Sequence, residues 1–509
     1  MKFQTKYALF SGGDSTRNQK GAVLGLLVIL AVFLVMQLSS FTTRWVDDES
    51  WYLMPIPSIQ NEGKFRIPAI PGQDTFWAQT PLLTYLEAAL DQLTTLTVSS
   101  ARGIPLLFGV LLIVGVFLTA RRVFSAGAGL LAAAFVASDN LVFLASRTIR
   151  PEILVACFAV WAVYAIVIAL QTDSKANLGW IVLSAIFSGL AAWSHPNGLV
   201  VPPLVLVLVL FWDGFKGRSF QIGLLYGVVA GMLVATMFLW MAYFDWANDM
   251  ANFKSLWLQR YGSTGEQAAS TGFSALSLIQ GEITGRYKDF LQFPYRIHIA
   301  VVSVLVLITL LFTRVNRIRA FGVIVLCVLA FFIFVNNSNP SVRYLTIALP
   351  FLCIGGAGLA GHWISKQTPL RLPIKLAAAT VVLTLGLSSL FGNAFYLWKF
   401  RNADYEKVTA QLKEVLPADA RVYGGLFLWF GMRDRTVIPY IRMPWKRALK
   451  DWKPTAVVMD DWVMKGGGDN GSWTALSKEL DEYLAIHGTL VKTIDTGFYG
   501  KLRVFTLKN

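Results

Sequence analysis

Asp47, Asp48 and Glu49 open the stretch 47–52 (DDESWY), which follows an uncharged run, 21–40, after the short link 41–46. A carboxylate at the edge of an apolar environment is the kind of group that takes a proton from an attacking hydroxyl, so three in a row make candidate general bases. Trp51 and Tyr52 behind them are amphipathic rings of the type that settle at a membrane–water boundary. Acids are also common in ordinary solvated loops outside a membrane. On this stretch alone the catalytic and the solvated readings stand level.

A second set carries positive charge. Residues 146–152 (SRTIRPE) place Arg147, Arg150 and Glu152 around Pro151 between two apolar runs. Guanidinium forks match phosphate oxygens and stay charged at any accessible pH, so a bound phosphate explains the pair; arginines reaching to lipid headgroups are the plainer account. Glu152 also suits the first turn of a helix after a proline, where a carboxylate meets the helix dipole. His195, in 192–199 (AWSHPNGL), binds a phosphate oxygen, positions a sugar hydroxyl, or is a polar turn residue ahead of Pro196. Arg343, in 336–344 (NNSNPSVRY), is an interfacial anchor or a further basic group on the same rim. Tyr52, Arg260 and Tyr261 are weaker candidates for contacts to an acceptor or a lid.

These groups need elements that bring them to one edge. Hydropathy predicts eleven membrane helices: 21–40, 101–120, 127–146, 152–170, 177–194, 198–212, 220–243, 297–313, 320–335, 342–361 and 374–398. With the N-terminus cytoplasmic, the inside segments hold fifteen Lys/Arg against three acids, and the outside loops eleven against thirteen. Basic residues near span ends are retained in the cytoplasm, so this asymmetry sets the orientation and puts every cluster above, and the C-terminal tail, on the outer face. The first span, with no small-residue cleavage site before the acids, is read as a retained helix.

The first outer loop, 41–100, predicts interfacial helices over 49–62 and 80–96, joined by a Pro/Gly segment at 67–74 (IPAIPGQD). In the second of these, Leu82, Leu86, Leu90 and Leu93 share one face and Glu87 and Asp91 another, as in a helix lying on a membrane. The second long loop, 244–296, contains the Gly/Ser/Thr/Ala-rich 262–272 (GSTGEQAASTG), a flexible composition suited to a lid. From 399 to 509 the composition is that of a small α/β domain: helices over 404–415 and 473–486, strands over 421–426, 455–459, 490–496 and 502–507.

Mean hydropathy of +0.54 and 15% charged residues exclude a soluble globule. The net charge of +15 therefore reflects topology and not a nucleic-acid partner. Cys157, Cys327 and Cys353 all fall in apolar runs, which suggests neither a disulfide framework nor a metal cluster. The run 466–468 lacks the Lys-Ser/Thr of a phosphate loop.

Asp48 and Glu49 with Tyr52 following, the segment 80–86 (TPLLTYL), the outer turn ending at Glu152 and the outer C-terminal domain together resemble the GT-C glycosyltransferases. Within them the likeness is to the family of protein O-mannosyltransferases and bacterial aminoarabinose transferases, as a pattern over 20–360. The resemblance implies a polytopic α-helical membrane protein of GT-C type, catalytic module 1–398 and extracytoplasmic domain 399–509, in the cytoplasmic membrane. It implies Asp48 as general base, Glu49 or Asp47 assisting at the sugar or a metal, Arg147 and Arg150 facing the donor phosphate, and Glu152 as the second acid. Ala78 and Gln79 stand where aminoarabinose transferases carry an acid and a lysine, leaving Asp48 and Asp74 as acids for a divalent cation; His195 replaces a basic residue.

The activity expected is inverting transfer of a sugar from a polyprenyl-phosphate donor to a protein, lipid or glycan, because no positioned nucleophile for a covalent intermediate is visible. A transporter or flippase is the rival from another class, but it places ionisable residues inside its spans, which here are almost free of charge between their ends. A polymerase or ligase using a lipid diphosphate is the third reading.

Overall fold

The computed structural model describes residues 16–39, 41–43, 47–67, 81–172, 177–212, 217–257, 280, 294–334, 341–364, 372–440, 445–461, 472–497 and 499–508. Its first long helix, α1 (Thr16–Leu38), is followed by three short ones, α2 (Asp47–Leu53), α3 (Ile56–Glu62) and α4 (Leu82–Leu93). Then come α5 (Val98–Val123), α6 (Ala126–Ser138), α7 (Asn140–Ala145), α8 (Glu152–Gln171) and α9 (Asn177–Ser194). A 3₁₀ turn (Pro196–Val200) leads to α10 (Val201–Trp212), α11 (Gly217–Trp257), α12 (Pro294–Phe312) and α13 (Asn316–Phe334). A second 3₁₀ turn (Val342–Ile347) precedes α14 (Leu349–Ile364) and α15 (Leu372–Phe400). Every apolar run read from the sequence is helical, and 6 of the described helices are long and apolar enough to cross a membrane.

Local chemistry explains where these helices stop. Thr97 and Ser100 form a reciprocal capping box at the head of α5. Asp139 Oδ1 accepts from the backbone N–H groups of Leu141 and Val142 at 2.7 and 3.2 Å. That cap divides the helix expected over 127–146 into α6 and α7. Gly63 ends α3 with φ 64°, a left-handed conformation that glycine enters at no steric cost. The helix expected to end at 243 continues to Trp257, since residues 244–257 contain no Gly or Pro and hydropathy registers apolarity, not helix breaking. The helix expected over 49–62 is broken at Met54 and Pro55 into α2 and α3.

The bundle is built around α8, apolar on all faces and 83% buried over its most apolar stretch. Two hydrogen bonds register its neighbours: Trp161 Nε1 donates to the Leu111 carbonyl at 3.1 Å, and Ser184 Oγ donates to the Ala162 carbonyl at 2.8 Å.

The C-terminal α/β unit comprises α16 (Tyr405–Val415), β1 (Arg421–Gly424), α17 (Leu428–Gly431), β2 (Thr436–Pro439), α18 (Trp445–Asp451), β3 (Ala456–Met459), α19 (Ser472–His487), β4 (Gly488–Asp495) and β5 (Lys501–Leu507). The sheet order is β2-β1-β3-β5-β4, parallel among the first three strands and antiparallel from β3 to β5 and from β5 to β4. The edge strand β2 and the short helices α17 and α18 were not expected; a four-residue run ending in proline leaves no periodic signal. The unit rests on the segment between α1 and α5. Arg433 Nη2 donates to the Leu96 carbonyl at 2.8 Å and lies 3.9 Å from Asp91, while Thr43 forms an antiparallel bridge with Asp404.

Candidate functional site

The acidic stretch forms the short helix α2, with Asp47 and Asp48 in its first turn and Glu49 pointing into protein. Glu49 is 0% exposed. Its two oxygens take a fork from Arg102, Nε to Oε1 at 2.9 Å and Nη2 to Oε2 at 2.8 Å. The remaining guanidinium nitrogen, Nη1, donates to the carbonyls of Phe41 and Thr43 at 2.6 and 2.8 Å. Oε1 also accepts from the Ile149 backbone N–H at 3.0 Å. One carboxylate thus ties together the link after α1, the helix α2, the head of α5 and the loop 146–152.

That contact brings the acidic and basic sets to the same edge. Ile149 lies between Arg147 and Arg150 in the chain. Arg147 is buried, with its Cζ 5.1 Å from the ring centre of Phe143 and 5.6 Å from that of Tyr396, and Nη2 donates to the Ser39 carbonyl at 3.3 Å. Arg150 turns back on Glu152, with Nη2 2.6 Å from Oε1 and Nε 3.1 Å from the same oxygen. Both members of the pair are buried. The loop can lie this deep because Gly109 faces it: a Cβ there would meet Ser146 Oγ at 2.3 Å.

His195 stands within electrostatic reach of Glu152. Its Nδ1 accepts from the Asn197 N–H at 3.0 Å, which caps the 3₁₀ turn. The ring lies 5.6 Å from that of Tyr344, on the turn that also carries the exposed Arg343. Gly198 is required here, because any Cβ would overlap the Ala191 carbonyl oxygen at 1.9 Å. Tyr52, expected at the boundary, is buried, and its carbonyl accepts from Thr84 Oγ1 at 2.9 Å. Asp74, Arg260 and Tyr261 lie outside the described residues.

Two participants had not been singled out. Arg102 was counted as part of an apolar span, although a cation in the first outer turn breaks the charge rule as Arg147 and Arg150 do. Glu87 was assigned to the polar face of a surface helix. It is instead fully buried on α4, with no hydrogen-bond partner for either oxygen among the described residues. Burial, reinforced by the charges of Glu49 and Asp91, pushes its carboxyl well above the usual carboxylate range. Among the described residues no group of three or more His, Cys, Asp or Glu side chains comes together to hold a metal, and Glu49 is committed to Arg102.

Residues 78–241 match the model of the dolichyl-phosphate-mannose-protein mannosyltransferase family. A comparison with curated proteins gave no match. Among solved structures, the chain is similar to ArnT from Cupriavidus metallidurans bound to undecaprenyl phosphate, with TM-score 0.65, 16% identity, and coverage of 95% of this chain and 97% of that one. It is also similar to the archaeal oligosaccharyltransferase AglB from Archaeoglobus fulgidus, in complex with an inhibitory peptide and a dolichol-phosphate. There the TM-score is 0.57 at 13% identity, over 91% of this chain and 72% of that one. The fold anticipated from the sequence, a mostly helical chain of GT-C type with apolar helices long enough to cross a membrane and a small C-terminal α/β domain, is the fold of this chain.

Proposed function

We propose that this GT-C chain is an integral-membrane glycosyltransferase that moves a sugar from a polyprenyl-phosphate donor to an acceptor on the extracytoplasmic face. The observation that carries the reading is the bond from Glu49 to Ile149 N–H, which joins the acid-bearing helix to the arginine-bearing loop. The lipid phosphates named for the two similar structures and the family description point to the same donor class.

Asp48 acts as the general base, taking the proton of the acceptor hydroxyl as that oxygen attacks the anomeric carbon and the lipid phosphate leaves. A single displacement of this kind inverts the anomeric centre. Glu49 is a positioning residue, holding α2 in register through Arg102. Arg147 and Arg150, with His195 and Arg343 nearby, give the rim the positive potential that lowers the energy of the departing phosphate dianion. Glu152 fixes the Arg150 fork in place. The N-terminus is cytoplasmic, as the basic inside segments require.

The test is transfer from a labelled prenyl-phosphate sugar in detergent. Asp48→Asn abolishes product while the protein still extracts and elutes as the native species; full activity in that variant refutes the assignment. Glycosidic product also separates a transferase from a transporter, which yields none.

A further inference from the structure

A cavity of about 750 Å³ lies on the flank of the bundle, walled by α6, α12, α14 and α15. Its lining is almost wholly apolar, with Phe135, Val302, Leu352, Gly356, Trp363 and Leu383 around it. It follows α14 from Leu349 to Trp363, which at 1.5 Å per residue is about 20 Å, so the space is elongated like a chain. Along one side it is open, and there Leu383 and Trp363 are exposed on the outer surface of the bundle.

The structure also shows which way it is closed. Asp139 and Ser389 mark the outer end. One turn beyond Ser389, Asn393 bridges back across the opening: Nδ2 donates to the Ser138 carbonyl at 2.8 Å, and Oδ1 accepts from Asn140 Nδ2 at 2.8 Å. Just above, Tyr396 packs edge-on against Phe143. The upper third of α15 is therefore fastened to α7, whereas its lower part stands off α14. A carboxylate beside this seal repels a phosphate, and the seal blocks a path upward to Arg147. At the other end lies Trp363, a residue type that anchors at the interface, and the exposed Arg314 follows the end of α12.

We infer that this slot is a second lipid site, holding one acyl chain of a bilayer phospholipid with its phosphate end toward Trp363 and its chain tip under the Asn140–Asn393 bridge. Walls made of helices that the hydropathy of the sequence reads as membrane segments admit what a bilayer offers, and an elongated apolar space of this size left empty would forfeit the contacts of its whole lining. The occupant props α15, the helix that leads into the α/β unit.

The experiment uses the full chain in nanodiscs of phosphatidylethanolamine and phosphatidylglycerol containing a diazirine-acyl phosphatidylglycerol, followed by peptide mapping of the photoadducts. Adducts are expected on the inner wall, at Leu352, Cys353 and Gly356, and are lost in Ala360→Phe, which fills the slot. Adducts confined to the outward-facing Leu376, Leu387 and Phe391 overturn the inference. So does displacement of the inner-wall adducts by added polyprenyl phosphate, which would make the slot part of the donor site. If Ala360→Phe does not fold, the wild-type map and the competition decide by themselves. Because labelling needs no sugar transfer, its outcome is separate from that of the activity proposed above.

Discussion

Removing Arg102 perturbs the site most sharply without touching the residues proposed to meet substrate. Its guanidinium is 1% exposed and makes two bonds to a carboxylate that is itself 0% exposed, and two more to the carbonyls of Phe41 and Thr43. Arg102→Met keeps most of the volume but strands the Glu49 charge with Ile149 N–H as its remaining bond in this group. Breaking one side of a buried pair costs about 3–5 kcal/mol. Glu49→Leu alone leaves the cation buried and costs a comparable amount. The double variant carries no stranded charge, although the freed backbone carbonyls and the Ile149 N–H still cost ~1–3 kcal/mol each when unsatisfied. A double-mutant cycle should therefore return a favourable coupling of about 3 kcal/mol, roughly 150-fold in the unfolding equilibrium. The assay is reversible unfolding in mixed micelles, read on wild type, both single variants and the double. Additive single effects, with coupling below ~0.5 kcal/mol, would show that the fork does not hold α2 to α5.

Glu87→Gln should stabilise the protein, and increasingly so with pH. Burial raises the pH at which this carboxyl ionises in the folded state, whereas the unfolded chain ionises in the ordinary range, so wild type loses stability as pH rises above that range until the folded group itself ionises. Melting curves at pH 5 and pH 8 check this, and a variant destabilised equally at both would contradict it. Arg150→Ala leaves the buried Glu152 without its fork, at a cost of about 3–5 kcal/mol, and should impair donor use far more than acceptor use in initial-rate kinetics. Equal loss on both substrates would assign the arginine to structure alone. Gly198→Ala forces a Cβ onto the Ala191 carbonyl, so it should lower the melting temperature and also displace His195, visible as reduced expression of folded protein. Arg433→Ala should cost ~1 kcal/mol and speed limited proteolysis between the bundle and the α/β unit, since it removes the bond to Leu96 and the contact to Asp91.

The helices were legible because each rests on a local property. An apolar run of bilayer length satisfies its own backbone as a helix, and each of the eleven runs is largely helical among the described residues, 127–146 in two pieces. The strands of the α/β unit alternate or cluster apolar residues, apart from β2, whose four residues carry no period. The acidic and basic stretches were recognisable from residue types set against the charge rule for membrane loops. Which partner each charge takes was not. Glu49 was placed at the sugar and Arg150 at a phosphate by residue type alone; that the first is paired with Arg102, fifty-three positions away, and the second with Glu152 came only from the packing. Glu87 shows the same limit: helical spacing put it on a polar face, but α4 packs against α2 and its neighbours and Glu87 is fully buried. Sequence by itself determined the apolar helices and which stretches carry the ionisable groups, since both follow from the composition of contiguous segments. Only the tertiary structure decided which charges neutralise one another, because pairing in a buried edge depends on distances between segments that no local pattern encodes.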